Sequence, residues 1–336
     1  MARSTNIYLT NKELLAEIHK SKMSYVQLED PKYYNYDVIV YDLNVLLNDD
    51  VCTEHYGEWK ITYIPKDEKK PITETITSLW HFNNHKDSDK REIISKELIS
   101  AKTAEEFIYE IKQNKAKKDN KNGASPKKTP EDILTSDLVI RYMTYNHIPD
   151  DEEWNEEKEK KKVSDGYIKV NFPPFQVFIL ENGVPRNVGL SHYKNGEFNL
   201  EGGRTTEKLG DMYMRLVNKI SKKGSFRNYT YLDEMKNSAL LQLSQVGLLF
   251  DEGRSANPNP FAFYTTVVTN VFKRVLNNEK KVRDTRDDLI EMAGHSPSYS
   301  RQSEDAWITM NEGYNEWYDN TNENTVLKKR QNRTKK

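Results

Sequence analysis

The strongest constraint on this chain is the stretch Phe226–Lys281, which has the pattern of two amphipathic helices joined by a short turn. Thr230 and Asp233, three residues apart, form a capping-box signature at the start of the first helix. The turn is predicted at Asp251-Glu252-Gly253. Before it, apolar residues recur at steps of three or four, which predicts a helix with one buried face. They are Met235, Ala239, Leu243, Val246 and Phe250.

The second helix of the pair is predicted to begin at Asn259-Pro260, because asparagine is a good N-cap and proline suits the first helical position. One face of this helix is apolar: Tyr264, Val267, Val268, Val271, Phe272 and Val275. The opposite face is polar or basic and carries no acid: Thr266, Thr269, Asn270, Lys273, Arg274 and Asn277. A face of this kind suits a polyanionic partner.

A third helix is predicted immediately before this pair, from Thr205 to Gly224. Its apolar positions follow the helical period closely: Leu209, Met212, Tyr213, Leu216, Val217 and Ile220. Three helices joined by short connections predict a compact antiparallel bundle in the C-terminal half.

These residues carry a resemblance to a known family. The segment FDEGRSANPNPFAFYTTVVTNVFKRVLNNEKK, from Phe250, resembles the conserved second region of bacterial sigma factors. It is closer to the late-transcription sigma factors of T-even-type phages, and most like their cyanophage members. Two more blocks occur in the order of that family: TTEKLGDMYMRLVNKISKKGSFRNYT at 205–230 and TNKELLAEIHKSK at 10–22. The long segment between these two blocks is outside the resemblance.

The resemblance implies a sigma factor that binds host core RNA polymerase in the host cytoplasm. The helix 231–250 then docks on the coiled coil of the polymerase β′ subunit, through Glu234, Asn237 and Leu241. Ser238 departs from the family pattern, since an acid is expected there.

The resemblance also implies contact with the AT-rich −10 element of promoter DNA. Phe263 and Tyr264 stand where aromatic rings stack on unpaired bases, although Tyr264 also lies on the core stripe and packing is its alternative role. Val267 and Val268 replace the tandem tryptophans of housekeeping factors. The predicted DNA-binding residues are Phe263, Tyr264, Thr266, Asn270, Lys273, Arg274, Lys280 and Lys281.

Late factors of this type also imply a phage sliding clamp and a co-activator as partners. The expected hydrophobic-acidic C-terminal peptide is not found, and only DAWITMNEGYNEWYD (305–319) offers apolar residues that a partner could bury. A membrane is not expected as a partner, because no run approaches the ~20 apolar residues needed to span a bilayer. The single cysteine, Cys52, fits a reducing compartment.

The predicted fold class is mainly α: a sigma region 2-like helical bundle in the C-terminal half, with an α+β insert in the N-terminal half. Strands are expected at Val38–Tyr41, Trp59–Ile64, Thr75–Phe82, 166–170 and 175–180, and helices near 88–114 and at Ile133–Tyr145. The predicted organisation is an N-terminal helix (1–22), an α+β insert (23–113), a flexible linker (114–132), a mixed segment (133–200), the sigma-like domain (201–295) and a polar, basic tail (296–336).

Two alternatives remain open from the sequence. The second hypothesis is a DNA-binding structural or packaging protein with sigma-like helices and no transcription role. Because the chain has a net charge of −1, its attraction to DNA would be confined to local patches. A metal-dependent nucleic-acid enzyme is the third, because Cys52, His55, His81 and His85 have spacings compatible with zinc. Surface or packing roles are the more common explanation of such a set, so the prediction is a protein without catalytic activity, metal or cofactor.

Overall fold

The computed structural model describes residues 9–65, 70–84, 91–123, 125–151, 163–254, 258–299 and 301–303. Of the residues that the structure describes, 49% are helical and 20% lie in strands, with a mixed five-stranded sheet at the centre of the fold. The prediction of a mainly α fold is therefore wrong. The regions predicted as an insert provide a sheet that shares a core with the C-terminal helices.

The central sheet has the strand order β1-β8-β7-β6-β2. Its strands are β1 (Val26–Leu28), β2 (Val38–Val40), β6 (Ile140–Met143), β7 (Phe175–Glu181) and β8 (Val184–Ser191). Three neighbouring pairs are antiparallel, and β2 runs parallel to β6. The sheet therefore joins chain segments that are far apart in sequence, and one of its edges follows directly from the N-terminal helix.

Both faces of this sheet are covered, as the side-chain alternation of β7 demonstrates. Phe175, Val177 and Ile179 point into the core that contains the C-terminal helices. Phe178 and Leu180 point to a second core on the other face. Because successive side chains of a strand alternate between faces, a strand that is apolar at both sets of positions needs a layer on each side.

Four helices lie on the first face: α1 (Asn11–Met23), α5 (Glu207–Ser221), α6 (Leu232–Val246) and α7 (Pro260–Met292). Their buried residues form one continuous core with the sheet, including Leu14 and Ile18 of α1. On the second face lie α2 (Asp49–Tyr56) and α4 (Ala104–Lys121), which pack through Cys52, Phe107 and Ile111.

A smaller sheet of order β4-β3-β5 extends from α2. It is formed by β3 (Glu58–Pro65), β4 (Ile72–Ile76) and β5 (Arg91–Ser100), with the short helix α3 (Leu79–Asn83) over its own small core. Two short strands, β9 (Tyr193–Lys194) and β10 (Glu197–Phe198), form a hairpin before α5.

Several local predictions are confirmed. The predicted N-terminal helix corresponds to α1, which begins with a capping box of Thr10 and Glu13, and Asn259 caps α7 with Pro260 in its first turn. The six apolar positions predicted for the stripe of α5 are all buried. The predicted strands at Val38–Tyr41, Trp59–Ile64 and 175–180 correspond to β2, β3 and β7.

Other local predictions are wrong. The helix expected near 88–114 is the strand β5 followed by α4, because residues 91–100 pair with β3 along their length. The helix expected at Ile133–Tyr145 is a single 3-10 turn and the strand β6. The segment 166–170 contains no strand, and Thr75–Phe82 divides between the end of β4 and α3.

The predicted boundaries differ from the observed ones at three places. The helix α6 begins at Leu232 and has no side-chain cap, so Thr230 does not form the expected capping box. The helix α7 continues past Lys281 to Met292. The range predicted as a linker, 114–132, is helical over 114–121, where Ala116 is buried.

Candidate nucleic-acid interface

The basic face of α7 is a continuous exposed stripe. At 100° per residue, seven of the polar or basic positions from Thr266 to Lys281 fall within about a third of the helix circumference. These residues are exposed: Thr266, Asn270, Lys273, Arg274, Asn277, Lys280 and Lys281. The stripe is about 22 Å long, since a helix rises 1.5 Å per residue. That length matches about six base-pair steps of 3.4 Å.

The stripe carries no carboxylate between its first and last residue. Glu279, the acid within this range of α7, lies on another side of the helix and is only half-exposed. Acidic residues reappear beyond the stripe, where Asp284 pairs with Arg283 at 3.0 Å and Asp288 pairs with Arg301 at 2.9 Å. The positive potential of α7 is therefore confined to 266–281.

Arg274 connects the stripe to the neighbouring helix. Its Nη2 donates to Oε1 of Gln242 on α6 at 3.3 Å. The contact positions the guanidinium toward the α6 side of the stripe while leaving the residue exposed. The exposed faces of α6 and α7 thus lie side by side.

Tyr264 does not belong to this surface, so its predicted DNA contact is corrected. Its side chain is 0% exposed. The hydroxyl donates to the carbonyl oxygen of Gly247 at 2.9 Å and lies 3.3 Å from the hydroxyl of Tyr213. Burial raises the pKa of Tyr264 above its usual range and the pKa of Tyr213 to about 12, so both phenols stay neutral donors in the core. Tyr264 therefore packs in the core, which is the alternative role that its position on the apolar face predicted.

Phe263 lies at the edge of the same core. Its ring is half-buried, with its centroid 5.6 Å from that of Phe250 and 5.4 Å from that of Tyr264. The ring is therefore held in place by its neighbours and still reaches the surface at the start of the stripe. This geometry leaves one part of the ring for contact with a base.

The exposed face of α6 brings together the residues predicted to bind polymerase. Glu234, Asn237 and Leu241 follow the spacing i, i+3, i+7 and are all exposed. Leu241 is 62% exposed. Ser238, beside this row, is half-buried. This face therefore presents a carboxylate, an amide and one large apolar side chain to solvent.

The turn between α6 and α7 is fixed by buried ionic contacts that sequence reasoning missed. Glu252 accepts from Nζ of Lys22 on α1 at 2.7 Å, and Nζ of Lys22 also donates to the carbonyl oxygen of Phe250 at 2.6 Å. Arg141 of β6 lies 3.8 Å from the same carboxylate, and its guanidinium is placed between the rings of Tyr36 and Phe175. Burial opposes ionisation of Glu252, but Lys22 and Arg141 outweigh it and hold the pKa of Glu252 below its usual value.

The neighbours of Glu252 have equally specific partners. Asp251 accepts from the hydroxyl of Tyr41 at 2.9 Å. A Cβ atom at Gly253 would lie 2.7 Å from Cγ2 of Ile39, so only glycine fits against this strand. The sequence indicated a turn here from its residue types. The local signal of buried partners was the pair of consecutive acids, Asp251 and Glu252, in the predicted turn. Their partners, Tyr41 and Lys22, lie more than 200 residues away in the sequence.

The three candidate zinc ligands that the structure describes, Cys52, His55 and His81, do not form a metal site. Cys52 is buried, with Sγ 3.5 Å from the carbonyl oxygen of Thr103. The rings of His55 and Trp80 stack at 4.9 Å, and His81 meets the edge of Trp80. His85 lies outside the described residues, as do 305–319. Within the described ranges, no group of three or more histidine, cysteine, aspartate or glutamate side chains is arranged to hold a metal ion.

Comparisons with models of protein families, with curated proteins and with solved structures found no match to this chain. Within the part of the chain that the structure describes, no helix combines the length and the apolar character needed to cross a bilayer.

Proposed function

We propose that the chain is a phage RNA polymerase sigma factor for late transcription, which binds host core polymerase in the host cytoplasm and directs it to AT-rich −10 promoter elements. The observation that carries the proposal is the pair of adjacent exposed faces on α6 and α7. One presents Leu241 between polar residues, and the other presents seven polar or basic residues without a carboxylate. A factor that recruits a polymerase to DNA needs two such surfaces in a fixed relation.

The roles along α7 follow from chemistry and position. Lys273, Lys280 and Lys281 are ammonium groups that hold the DNA backbone, because phosphate contacts position a protein without specifying sequence. Asn270 and Arg274 are the side chains able to make paired hydrogen bonds to base edges. Phe263 supports an opened base at the start of the stripe, since stacking contributes about 1–3 kcal/mol per base.

The fixed relation between the two faces is supported by the buried contacts beneath them. Lys22 and Arg141 hold the turn that separates α6 from α7, and Gln242 contacts Arg274 across the helix pair. The net charge of −1 gives the free protein little attraction to DNA over distance. Sequence-specific binding is therefore assigned to the complex with polymerase.

Binding to core polymerase is the test of this proposal. Purified chain should co-elute with bacterial core enzyme, and the double variant Glu234→Lys, Asn237→Ala should lose this binding, because it reverses a charge and removes an amide on the exposed face of α6. The variant Leu241→Ala should weaken it, because it removes apolar side-chain area that the proposed partner would bury. Lys222→Ala, an exposed lysine next to the end of α5, is the matched control and should co-elute as the unaltered chain does.

The alternative function gives the opposite result. A DNA-binding structural or packaging protein would bind DNA without core polymerase and would not co-elute with it. Co-elution that the double variant leaves unchanged would remove the assignment of the α6 face.

A further inference from the structure

A second concave site lies between the small sheet and the body of the molecule. It is a cavity of about 570 Å³, within the 300–1,000 Å³ range of small-molecule sites. Its walls come from the end of β2, the end of α2, the end of β4 with the segment that follows it, α3, the start of β5 and the turn before α7. The cavity is separate from the exposed faces of α6 and α7, and neither of those faces contributes a lining residue.

The charged side chains that the structure describes in the lining of this cleft are two arginines, Arg91 and Arg254, and no carboxylate is among its described lining residues. The nearby carboxylate of Asp251 lies outside the lining, where it accepts from the hydroxyl of Tyr41 and from the backbone N–H of Gly253. Arginine suits phosphate because its planar donors match the phosphate oxygens in pairs.

The two arginines are presented differently. Arg91 lies over the rings of Tyr63 and Phe82, with its guanidinium carbon 5.3 and 4.9 Å from their centroids. Stacking of this kind restricts the side chain before any ligand arrives. Arg254 is exposed at the cavity and follows directly from the fixed turn at Glu252 and Gly253.

The rest of the lining is aromatic and donor-rich. Tyr41, Tyr56, His55 and His81 contribute rings, and Thr75, Thr77 and Ser78 contribute backbone and hydroxyl groups. Ile39, Ile76 and Phe82 contribute apolar surface. A free phosphate ion would leave most of this volume and all of these rings without a partner. A ligand that joins a planar ring and hydroxyl groups to a phosphate uses every part of the lining.

We infer that this cleft binds a nucleoside phosphate, with Arg91 and Arg254 contacting the phosphate groups and the aromatic side chains receiving the base. The ligand bridges the small sheet and the turn that precedes α7. The described lining supplies two guanidinium groups to attract the phosphates and no carboxylate to repel them.

The fluorescence of Trp80 can report binding of a ligand in the cleft. Its ring stacks on Tyr41 at 5.1 Å and on His55 at 4.9 Å, and both of these residues line the cavity. A ligand in the cleft changes the surroundings of this ring stack. Tryptophan emission should therefore change on binding, and Trp80→Phe should remove the change while calorimetry still detects binding.

The test is calorimetric titration of the full chain with ATP, GTP, CTP and UTP, each beside its own nucleoside and inorganic phosphate. At least one triphosphate should bind saturably at one site, and its nucleoside and inorganic phosphate should each bind at least tenfold more weakly. Arg254→Ala should weaken that binding about tenfold, the effect of one charge-assisted contact. Thr77→Trp, which places a large ring in the cleft from an exposed position, should block it.

Two controls separate this cleft from other basic surfaces. Arg215→Ala, at an exposed position of α5, and Lys281→Ala, on the α7 stripe, should leave the affinity unchanged. The inference is overturned if none of the four triphosphates binds, if Arg254→Ala and Thr77→Trp leave binding intact, or if Lys281→Ala abolishes it. Inorganic phosphate binding as tightly as the triphosphate would overturn the nucleoside assignment.

Discussion

At the scale of single residues, the carboxylate of Glu252 lies between two buried cations. Lys22 and Arg141 are each 1% exposed, so neither can turn to solvent if this anion is removed. Glu252→Ala is expected to lower the free energy of unfolding by about 3–5 kcal/mol, because breaking a buried ion pair leaves uncompensated charge. Urea denaturation followed by circular dichroism measures this change.

Asp251→Asn is the matched control for this experiment. It keeps an oxygen for the hydroxyl of Tyr41 and changes a half-buried group, so the expected loss is about 1 kcal/mol. Equal losses for the two variants would mean that Glu252 does not hold the buried cations in place.

Two histidines on either side of Ser191, the buried His192 and the half-buried His147, predict a dependence of stability on pH. Nε2 of His147 lies 3.2 Å from Oγ of Ser191, and Nδ1 of His192 lies 3.1 Å from the same oxygen. Burial lowers the pKa of His147 to about 4 and that of His192 to about 3, against 6.5 in the unfolded chain. Burial, reinforced by Arg141, likewise lowers the pKa of His19 to about 4.

Between pH 6.5 and about 4, the unfolded chain therefore binds protons at these histidines that the folded chain excludes. The free energy of unfolding should fall as pH decreases through this window, by about 1.4 kcal/mol per pH unit for each histidine. Urea denaturation at pH 7 and pH 5 measures the slope. His192→Asn, which suits the positive φ of 60° at this position, should reduce it, and exposed His295→Gln should not. A slope that His192→Asn leaves unchanged would contradict this assignment.

At the scale of elements, the stripe on α7 predicts a uniform effect of its terminal lysine. Lys281→Ala should weaken binding of the polymerase complex to every DNA sequence alike and lower the slope of log K against log salt by about one, because one phosphate contact is lost. Filter binding at several salt concentrations measures both. Lys222→Ala is again the control, and a loss restricted to one promoter sequence would mean that Lys281 contacts a base instead.

Elements with a local hydrophobic period could be predicted from the sequence, and elements that depend on distant pairing could not. The helices α5 and α7 could be predicted because their periodicity is local, and every apolar position of the α5 stripe is buried. The strand β5 was mistaken for a helix because its charged residues also suit an exposed helix. Ile93 pairs with Tyr63 of β3, while Ile94 and Ile99 fall at the two irregularities of the register, and this pairing is not encoded nearby in the sequence.

For the candidate site, the exposed helix positions could be predicted from local sequence, and the contacts between distant elements could not. The exposed positions of the α7 stripe follow from helix geometry alone, so they could be predicted. The burial of Tyr264 depends on Gly247 and Tyr213, which lie on other elements. The ion pairs of Glu252 depend on α1 and β6, more than 100 residues upstream.

At the scale of the whole molecule, the long segment before the helices is part of the core. Val177 and Ile179 of the sheet belong to the same buried cluster as Leu216 of α5 and Phe272 of α7. The sheet pairs Val26 with Ser191, so its first strand adjoins α1 and its partner lies shortly before α5. The two blocks of the resemblance are thus brought together by the segment between them. That arrangement explains why the prediction of a mainly α fold was wrong.

Promoter-dependent transcription tests the proposal that α7 directs polymerase to a −10 element. Core polymerase would be combined with the unaltered chain, Asn270→Ala or Arg274→Ala on templates with a matched or a scrambled −10 element. We expect transcription from the matched template with the unaltered chain, and each variant should lose about 1–3 kcal/mol of binding free energy for that template. We expect no further loss on the scrambled template. Equal losses on both templates, or no stimulation of core polymerase by the unaltered chain, would contradict the proposed role of α7.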